Sequence, residues 1–391
     1  MSEWKEYKLG ELTLDGKGHY GIAAPAVDFD CSKYTYLRIT DINDDGTINR
    51  QGLKSVDDVK AKEYLLKPND IVFARTGASV GRSYFYDGKD GELVYAGFLI
   101  KFSLNPEKVC PYILKAYTHS QEYYDWIRAV DNGATRGNIN AQTFASMPIS
   151  LPSLEEQKRI AGVLSSLDDK IDLLNRENVT LEALAETLFR HYFIENPDPA
   201  WKEGKLGDYV DIKRGGSPRP ITDYIAPSGY RWLKISDVTN IDSPYIFHTK
   251  EYIKESGLKK TVLLNEGSLV LSNSATPGIP KILCVDSCIH DGWLYFPKSS
   301  FSKYYLYLFF KFIRQDLINL GNGSIFTNLK TDILKNYVIN IPDSTSLDKF
   351  ESIVSPLFEK MLGNTEQVYA LETQRDALLP RLMSGEVMVE K

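Results

Sequence analysis

Between residues 154 and 192, seam positions return every three or four residues along one face, and most are apolar. Leu164, Ile171, Asn178, Ala185 and Tyr192 take heptad position a, while Ile160, Leu167, Leu174, Leu181 and Leu188 take d. Five unbroken heptads predict a coiled-coil helix. Residues 347–383 repeat the frame: Val354, Met361, Val368, Arg375 and Leu382 fall on a, and Phe350, Leu357, Asn364, Leu371 and Leu378 on d. Each helix should measure roughly 55–60 Å at about 1.5 Å per residue. Ser153 can cap the first, with Glu156 three residues on. Pro356 is expected to kink or delay the second, and Pro380 to loosen its end.

Each seam holds one asparagine, Asn178 and Asn364. A polar residue in such a seam costs stability and needs a partner. In an antiparallel pair a layers face d layers. Setting Asn178 against Asn364 then pairs Ile171 with Leu371, Leu164 with Leu378, Leu181 with Met361 and Leu188 with Val354. A parallel pairing leaves both amides unmatched. The expectation is an antiparallel pair with the asparagines in contact, and Arg375 reaching past Leu167 to an acidic neighbour.

Outside the helices the pattern changes to short β-type runs, such as Tyr34–Ile39, Ile71–Ala74, Leu93–Phe102 and Leu269–Ser272, punctuated by Gly, Asn, Asp and Pro. Helical stretches follow near Pro111–Val130 and Ser302–Leu320. These runs occur twice. Trp4-Lys5-Glu6 returns as Trp201-Lys202-Glu203, and Tyr36–Ile42 as Trp232–Val238. Asp70–Phe73 returns as Ser268–Leu271, and Gly97-Phe98-Leu99 as Gly292-Trp293-Leu294. Gly133, Asn138 and Pro152 return as Gly323, Asn328 and Pro342. Five echoes in one order predict an internal repeat. The fold class is mixed α/β (α+β): two similar globular domains separated by an antiparallel two-helix coiled coil, with pseudo-two-fold symmetry. The expected boundaries are 1–153 for the first domain, 154–196 for the first long helix, 197–345 for the second domain, and 346–391 for the second helix and tail. One chain then carries two unlike heads at opposite ends of a spacer.

Composition adds limits. The hydrophobic fraction of 43% and charged fraction of 25% are those of a globular chain. With no signal-like start and no apolar run of about 18 residues, a cytoplasmic protein without membrane contact is expected. The net charge of −6 is uneven: −2 over 1–150, −5 over 151–200, +5 over 201–340 and −4 over 341–391. The basic third segment can hold phosphate although the chain is acidic. Cys31, Cys110, Cys284 and Cys288 are expected to be reduced structural thiols; His290 near the last pair hints only weakly at a ligand.

Leu37–Ile42, Asp70–Gly81, Gly137–Asn140 and Met147–Gln157, with the closing Leu378–Val387, resemble the specificity subunits of type I restriction-modification enzymes. The resemblance spans essentially the full chain. It implies a non-catalytic, sequence-specific reader of bipartite double-stranded DNA. Partners would be two modification subunits that methylate adenine with S-adenosylmethionine, and restriction subunits that use ATP and Mg. In the second head Asn273–Gly278 replaces the Arg75-Thr76-Gly77 stretch, and Thr327–Lys330 replaces Gly137–Asn140, as expected of heads that read unlike half-sites.

The residues themselves offer no catalytic constellation. Asn196-Pro197-Asp198-Pro199 lacks the aromatic of an adenine-methylase motif and reads as a linker. No phosphate-binding loop occurs, and the five histidines, His191 among them, are dispersed. No metal site is expected, and no cofactor on this chain. Arg pairs with guanine edges and Asn with adenine, while Lys mostly holds phosphate. The DNA-contact candidates in the first head are Arg38, Thr40, Arg75, Thr76, Ser79, Arg82, Arg136, Asn138 and Asn140. In the second they are Lys213, Arg214, Arg219, Lys234, Ser236, Asn273, Ser274, Asn322, Asn328 and Lys330. Thr40, Asp41, Ser236 and Asp237 serve equally well as turn formers, and Tyr95, Phe98 and Trp293 as core. Two other readings stay open: a stand-alone DNA-binding or architectural protein, and an enzyme with unrecognised motifs.

Overall fold

The computed structural model describes residues 4–50, 52–131, 138–239, 241–321, 329–387 and 389. The chain divides into two compact units, Met1–Lys170 with Ala370–Lys391, and Ile171–Tyr369. The division falls within both long helices, so each unit holds a segment of each.

The first unit contains strands β1 (Lys5–Lys8), β2 (His19–Tyr20), β3 (Ala26–Asp28), β4 (Tyr34–Leu37), β5 (Lys54–Val56), β6 (Asp70–Ala74), β7 (Ser83–Tyr86), β8 (Leu93–Tyr95), β9 (Leu99–Ser103) and β10 (Pro148–Leu151). Its helices are α1 (Pro111–Tyr117), α2 (Gln121–Asp131), α3 (Ala141–Ala145) and the start of α4 (Leu154–Arg190). The second unit contains β11 (Lys202–Lys205), β12 (Val210–Arg214), β13 (Ile225–Ala226), β14 (Tyr230–Leu233), β15 (Tyr245–Ile246), β16 (Glu251–Ile253), β17 (Val262–Leu264), β18 (Leu269–Ser272), β19 (Pro280–Leu283), β20 (Ser287–Ile289), β21 (Trp293–Ser299) and β22 (Val338–Ile341). Its helices are α5 (Leu206–Tyr209), α6 (Lys303–Gly321), α7 (Thr331–Lys335), the rest of α4 and most of α8 (Ser344–Met383), whose end from Ala370 belongs to the first unit.

The units share a topology. Sheets β2-β9-β6-β7 and β3-β5-β4-β8 in the first correspond to β12-β21-β18-β19-β15 and β13-β16-β14-β20-β17 in the second. Alternation explains the layering. Ile71 and Phe73 of β6 pack on the helices with Ile113 and Phe144. Val72 and Ala74 face the other sheet, against Leu37 and Tyr95. Every residue of β6 is buried because each face has its own core. In the second unit β18 does the same, with Leu269 and Leu271 toward α6 and Val270 toward Leu233.

Registers test the repeat. Leu37 pairs with Tyr95, and Leu233 with Ile289. Val72 pairs with Lys101, and Val270 with Tyr295. The expected run Leu93–Phe102 is two strands in different sheets, with Gly97 in the break. One echo must be corrected by a residue. Ala74 pairs with Leu99, while Ser272 pairs with Trp293. Trp293 therefore stands where Leu99 does, Gly292 where Phe98 does, and Asp291 where Gly97 does. Burial agrees: Trp293 and Leu99 are both 0% exposed, and Phe98 is 57% exposed. The Trp293 indole N–H reaches the Leu233 carbonyl at 3.1 Å. Tyr95 and Trp293 are core as expected, but Phe98 is not.

In each unit the helix segments run antiparallel. In the first, Ile160 and Leu164 pack in one core with Leu379 and Leu382, and Arg375 pairs with Asp168 at 3.1 Å. In the second, the Asn364 side-chain N–H donates to the Asn178 carbonyl oxygen at 3.0 Å, and Asn364 also donates to Glu177 at 2.9 Å. Asn178 in turn donates to Thr365 at 3.2 Å. Asp168 is the acidic neighbour that the Arg375 position called for.

Two expectations about the helices fail. α8 runs unbroken from Ser344 to Met383. Pro356 and Ser352, whose carbonyl loses its partner, both lie on the exposed side, where that carbonyl is open to solvent. Near the end of α4 the buried positions are Ala185, Phe189 and Phe193, and Tyr192 is only half-buried. Phe193 packs edge-on against Phe350 and Tyr305, so this end of α4 faces the globular domain as well as α8. Among the described residues no helix is long and apolar enough to cross a membrane.

The Asn178–Asn364 pair predicts a non-additive response. Asn364→Leu alone strands a buried amide and should cost about 1–3 kcal/mol in denaturant unfolding, whereas adding Asn178→Leu should restore most of the loss. Asp168 predicts a pH effect. Burial pushes its carboxyl up, but the Lys115 ammonium, the Tyr112 hydroxyl and the Arg375 guanidinium together hold it below the ordinary 3.8. A depressed folded value means that the stabilisation is complete above the unfolded value and is lost as pH falls through the folded one. Asp168→Asn should therefore be less stable than the parent at neutral pH, and in acid melts followed by circular dichroism the two should converge as pH falls through the depressed folded value.

Candidate nucleic-acid interface

In the first domain several candidates meet where β6 ends. The Arg75 N–H donates to the Phe98 carbonyl at 3.1 Å, and the Arg75 carbonyl accepts from the Ile139 N–H at 2.9 Å. Thr76 forms a β-bridge with Asn138. These bonds lay segment 138–140 beside the strand end, bringing Arg75, Thr76, Asn138 and Asn140 together. The Arg75 guanidinium lies over the Tyr20 ring, 5.0 Å from its centroid, and the Tyr20 hydroxyl accepts the Ala141 N–H at 3.2 Å. Tyr20 is 44% exposed. The Arg75 Nε is buried with no hydrogen-bond partner among the described residues.

The other first-domain candidates are more committed. Arg38 makes a two-pronged pair with Asp41 at 2.8 and 2.6 Å. Arg82 is held by Asp44 at 2.7 Å and by the Ile42 carbonyl at 3.0 Å. Ser79 is buried in the turn Gly77–Ser79, and Thr40 is exposed. Asn140 caps α3 by accepting the Thr143 N–H at 2.9 Å, which leaves its amide N–H₂ for other partners. Arg136 lies outside the described residues.

The second domain builds the same place from other side chains. The Asn273 N–H donates to the Gly292 carbonyl at 2.8 Å, and its carbonyl accepts from the Leu329 N–H at 2.7 Å. Asn273 is 2% exposed, and its side chain donates to the Asp291 carbonyl at 3.3 Å. Asp291 also collects the Ser217 hydroxyl at 2.7 Å, Arg219 at 3.0 Å and, through its backbone carbonyl, the Arg214 Nε. Burial pushes the Asp291 carboxyl up, but the Ser217 bond and the nearby guanidiniums more than offset it and hold it below the usual carboxylate range. Lys213 is exposed beside Asp211, and Lys234 pairs with Glu251 at 2.6 Å. Ser236 and Lys330 are exposed, and Ser274 is half-buried after Asn273. Asn322 and Asn328 lie outside the described residues.

The echo Leu37–Ile42 and Leu233–Val238 is itself a turn device. The Asp41 carboxylate accepts the Arg38 N–H, and the Asp237 carboxylate the Lys234 N–H, each at 2.9 Å. Reading the sequence alone missed Tyr20, Phe98 and Asp291 as members of these surfaces. Tyr20 lies in a two-residue strand too short for a pattern. Phe98 was hidden by its false match to Trp293. Among the described residues no group of His, Cys, Asp and Glu has the arrangement to hold a metal ion, and the four cysteines form no disulfide.

Residues 1–183 and 199–361 match the type I restriction modification DNA specificity domain. The type I restriction enzyme MjaIX specificity subunit of Methanocaldococcus jannaschii is 26% identical over 72% of this chain and 69% of its own length. The HindI specificity subunit of Haemophilus influenzae is 24% identical over 99% of this chain and 100% of its own. The crystal structure of a type I restriction-modification S subunit from M. genitalium has the same fold, with a TM-score of 0.57 at 15% identity, covering 100% of this chain and 97% of that one.

Both strand-end surfaces depend on a close backbone approach. A Cβ on Gly21 would sit 2.3 Å from the Ala96 and Tyr95 carbonyl oxygens, and one on Gly215 would sit 2.3 Å from that of His290. Gly21→Ala and Gly215→Ala should each cost about 1–3 kcal/mol in thermal unfolding. Gly162→Ala, on α4 with nothing within 4 Å, should be neutral or stabilising.

Proposed function

We propose that this chain, which belongs to the type I restriction-modification DNA specificity family, reads a two-part DNA target with one strand-end surface on each domain. It is a DNA-specificity subunit. The observation that carries the two-part reading is duplication with divergence. The same sheets, the same turn at Asp41 and Asp237, and the same glycine contacts at Gly21 and Gly215 occur twice. The side chains at the ends of the paired strands differ, Arg75 against Asn273 and Phe98 against Gly292. A duplicated framework with unlike surfaces suits recognition of two unlike half-sites by one chain, where a symmetric dimer would read a palindrome.

In this reading the first domain contributes Arg75, Thr76, Asn138 and Asn140, with Arg38, Thr40, Ser79 and Arg82 in supporting or phosphate-contacting roles. The second contributes Lys213, Arg214, Arg219, Ser274 and Lys330, with Lys234, Ser236 and Asn273 beside them. Arginine and asparagine address base edges, and lysine addresses phosphate. Catalysis belongs to partners: two modification subunits that methylate adenine with S-adenosylmethionine, and restriction subunits that use ATP and Mg. The packed α4–α8 seam supplies the spacer between half-sites and a surface for docking those partners.

Co-expression with the partner methyltransferase, followed by genome-wide mapping of methylated adenine, is the test. The expected product is a split motif with a gap of constant length, and replacing residues 1–153 by another domain of this family should change one half only. An unsplit motif, or methylation unaffected by deleting this chain, would refute the reading.

A further inference from the structure

We propose that the two domains carry their base-reading arginine on different strands, Arg75 after β6 in the first and Arg214 on β12 in the second, and that Tyr20 and Phe98 complete the first of these readers. The inference rests on the two-surface reading above and gives it positions.

The strand registers make the comparison residue by residue. Tyr20 pairs with Ile100 and Ala74 with Leu99 in the first domain. Arg214 pairs with Leu294 and Ser272 with Trp293 in the second. Tyr20 and Arg214 therefore hold one position, Arg75 and Asn273 a second, and Phe98 and Gly292 a third. The first domain fills these places with Tyr, Arg and Phe. The second fills them with Arg, Asn and Gly. One arginine is kept, but it stands at the other edge of the three strands. The carriers β6 and β2 flank β9, as β18 and β12 flank β21. The displacement is two strand spacings, about 10 Å.

The surroundings match this exchange. Arg75 makes no ion pair among the described residues, while Arg38, Arg82 and Arg219 each have an aspartate. Its guanidinium instead rests on the Tyr20 ring, which fixes the plane of the fork without neutralising its charge. Phe98 stands opposite Arg75 across the ladder, 57% exposed, an apolar surface of the kind that meets a thymine methyl. In the second domain Asn273 is buried and bonded to the Asp291 carbonyl, so it serves the framework. Arg214 is exposed, with its Nε on the same carbonyl, which leaves the terminal nitrogens of its fork facing outward. A fork that presents two N–H donors in a plane recognises the O6 and N7 of guanine. The two half-sites should then each contain a guanine read by arginine, at different distances from the gap.

The probe is a randomised DNA duplex library methylated by the assembled enzyme and sequenced for modified adenine. Arg75→Lys keeps the charge and loses the planar fork. It should reduce discrimination at one guanine of one half-site by roughly 10- to 100-fold and leave the other half unchanged. Arg214→Lys should do the same in the opposite half. Tyr20 is a positioning residue. Tyr20→Ala should weaken discrimination at the Arg75 guanine, and Tyr20→Phe, which keeps the ring, should restore it. Melting curves identify any variant that fails to fold, and for such a position Arg→Gln replaces the lysine variant. If the wild-type enzyme marks no split motif, the functional reading itself falls. If it marks one and Arg75→Lys leaves both halves intact, or Arg75→Lys and Arg214→Lys alter the same half, only the present inference is overturned.

Discussion

A carboxamide buried among apolar helix side chains loses its water, and only a polar group across the seam can replace it. Asn178 and Asn364 meet that need for each other, and the flanking Glu177 and Thr365 take up remaining donors. Any slip along the seam would leave two amides unpaired, at a cost of about 1–3 kcal/mol each. Direction and register of the second unit's helices follow from this one contact. Counting 15 residues forward from Asn178 reaches Phe193, and 14 back from Asn364 reaches Phe350, whose rings pack edge to face at 4.8 Å. The aromatic cluster that joins these helices to α6 depends on that alignment.

Each domain is fastened to α4 through a carboxylate that takes a tyrosine and a lysine, Asp168 in the first unit and, in the second, Glu182 with Tyr307 and Lys311 of α6 at 2.5 and 2.7 Å. In the first unit Asp168 of α4 takes the Tyr112 hydroxyl and the Lys115 ammonium from α1, and Arg375 from α8. In the second unit Phe189, Phe193, Phe350 and Phe358 pack against Tyr304 and Tyr305 of α6. The carboxylate attachment is thus common to both units, and the aromatic cluster is added in the second.

Within the domains the backbone was kept and the side chains replaced. Gly21 and Gly215 hold the same close approach, and Asp41 and Asp237 close the same turn. Leu99 and Trp293 both fill the core, whereas the place before them holds an exposed phenylalanine, Phe98, in the first domain and a buried glycine, Gly292, in the second, where a Cβ would sit 2.1 Å from the His290 ring.

The amino-acid sequence by itself determined the duplication, the long helices, their antiparallel pairing and the Asn178–Asn364 contact. Heptad spacing and buried polarity are local rules, and they act on residues whose order in the chain is already known. It located the arginine and asparagine candidates only as residue types. Tertiary structure decided which of them share a surface. Arg75 is brought beside Tyr20 and Asn138 by hydrogen bonds to segments far along the chain, while Arg38 and Arg82 are taken by nearby aspartates. It also decided the true match of Trp293, because strand register depends on which carbonyl each N–H finds across the sheet, and a short Gly-aromatic-Leu echo does not encode that choice.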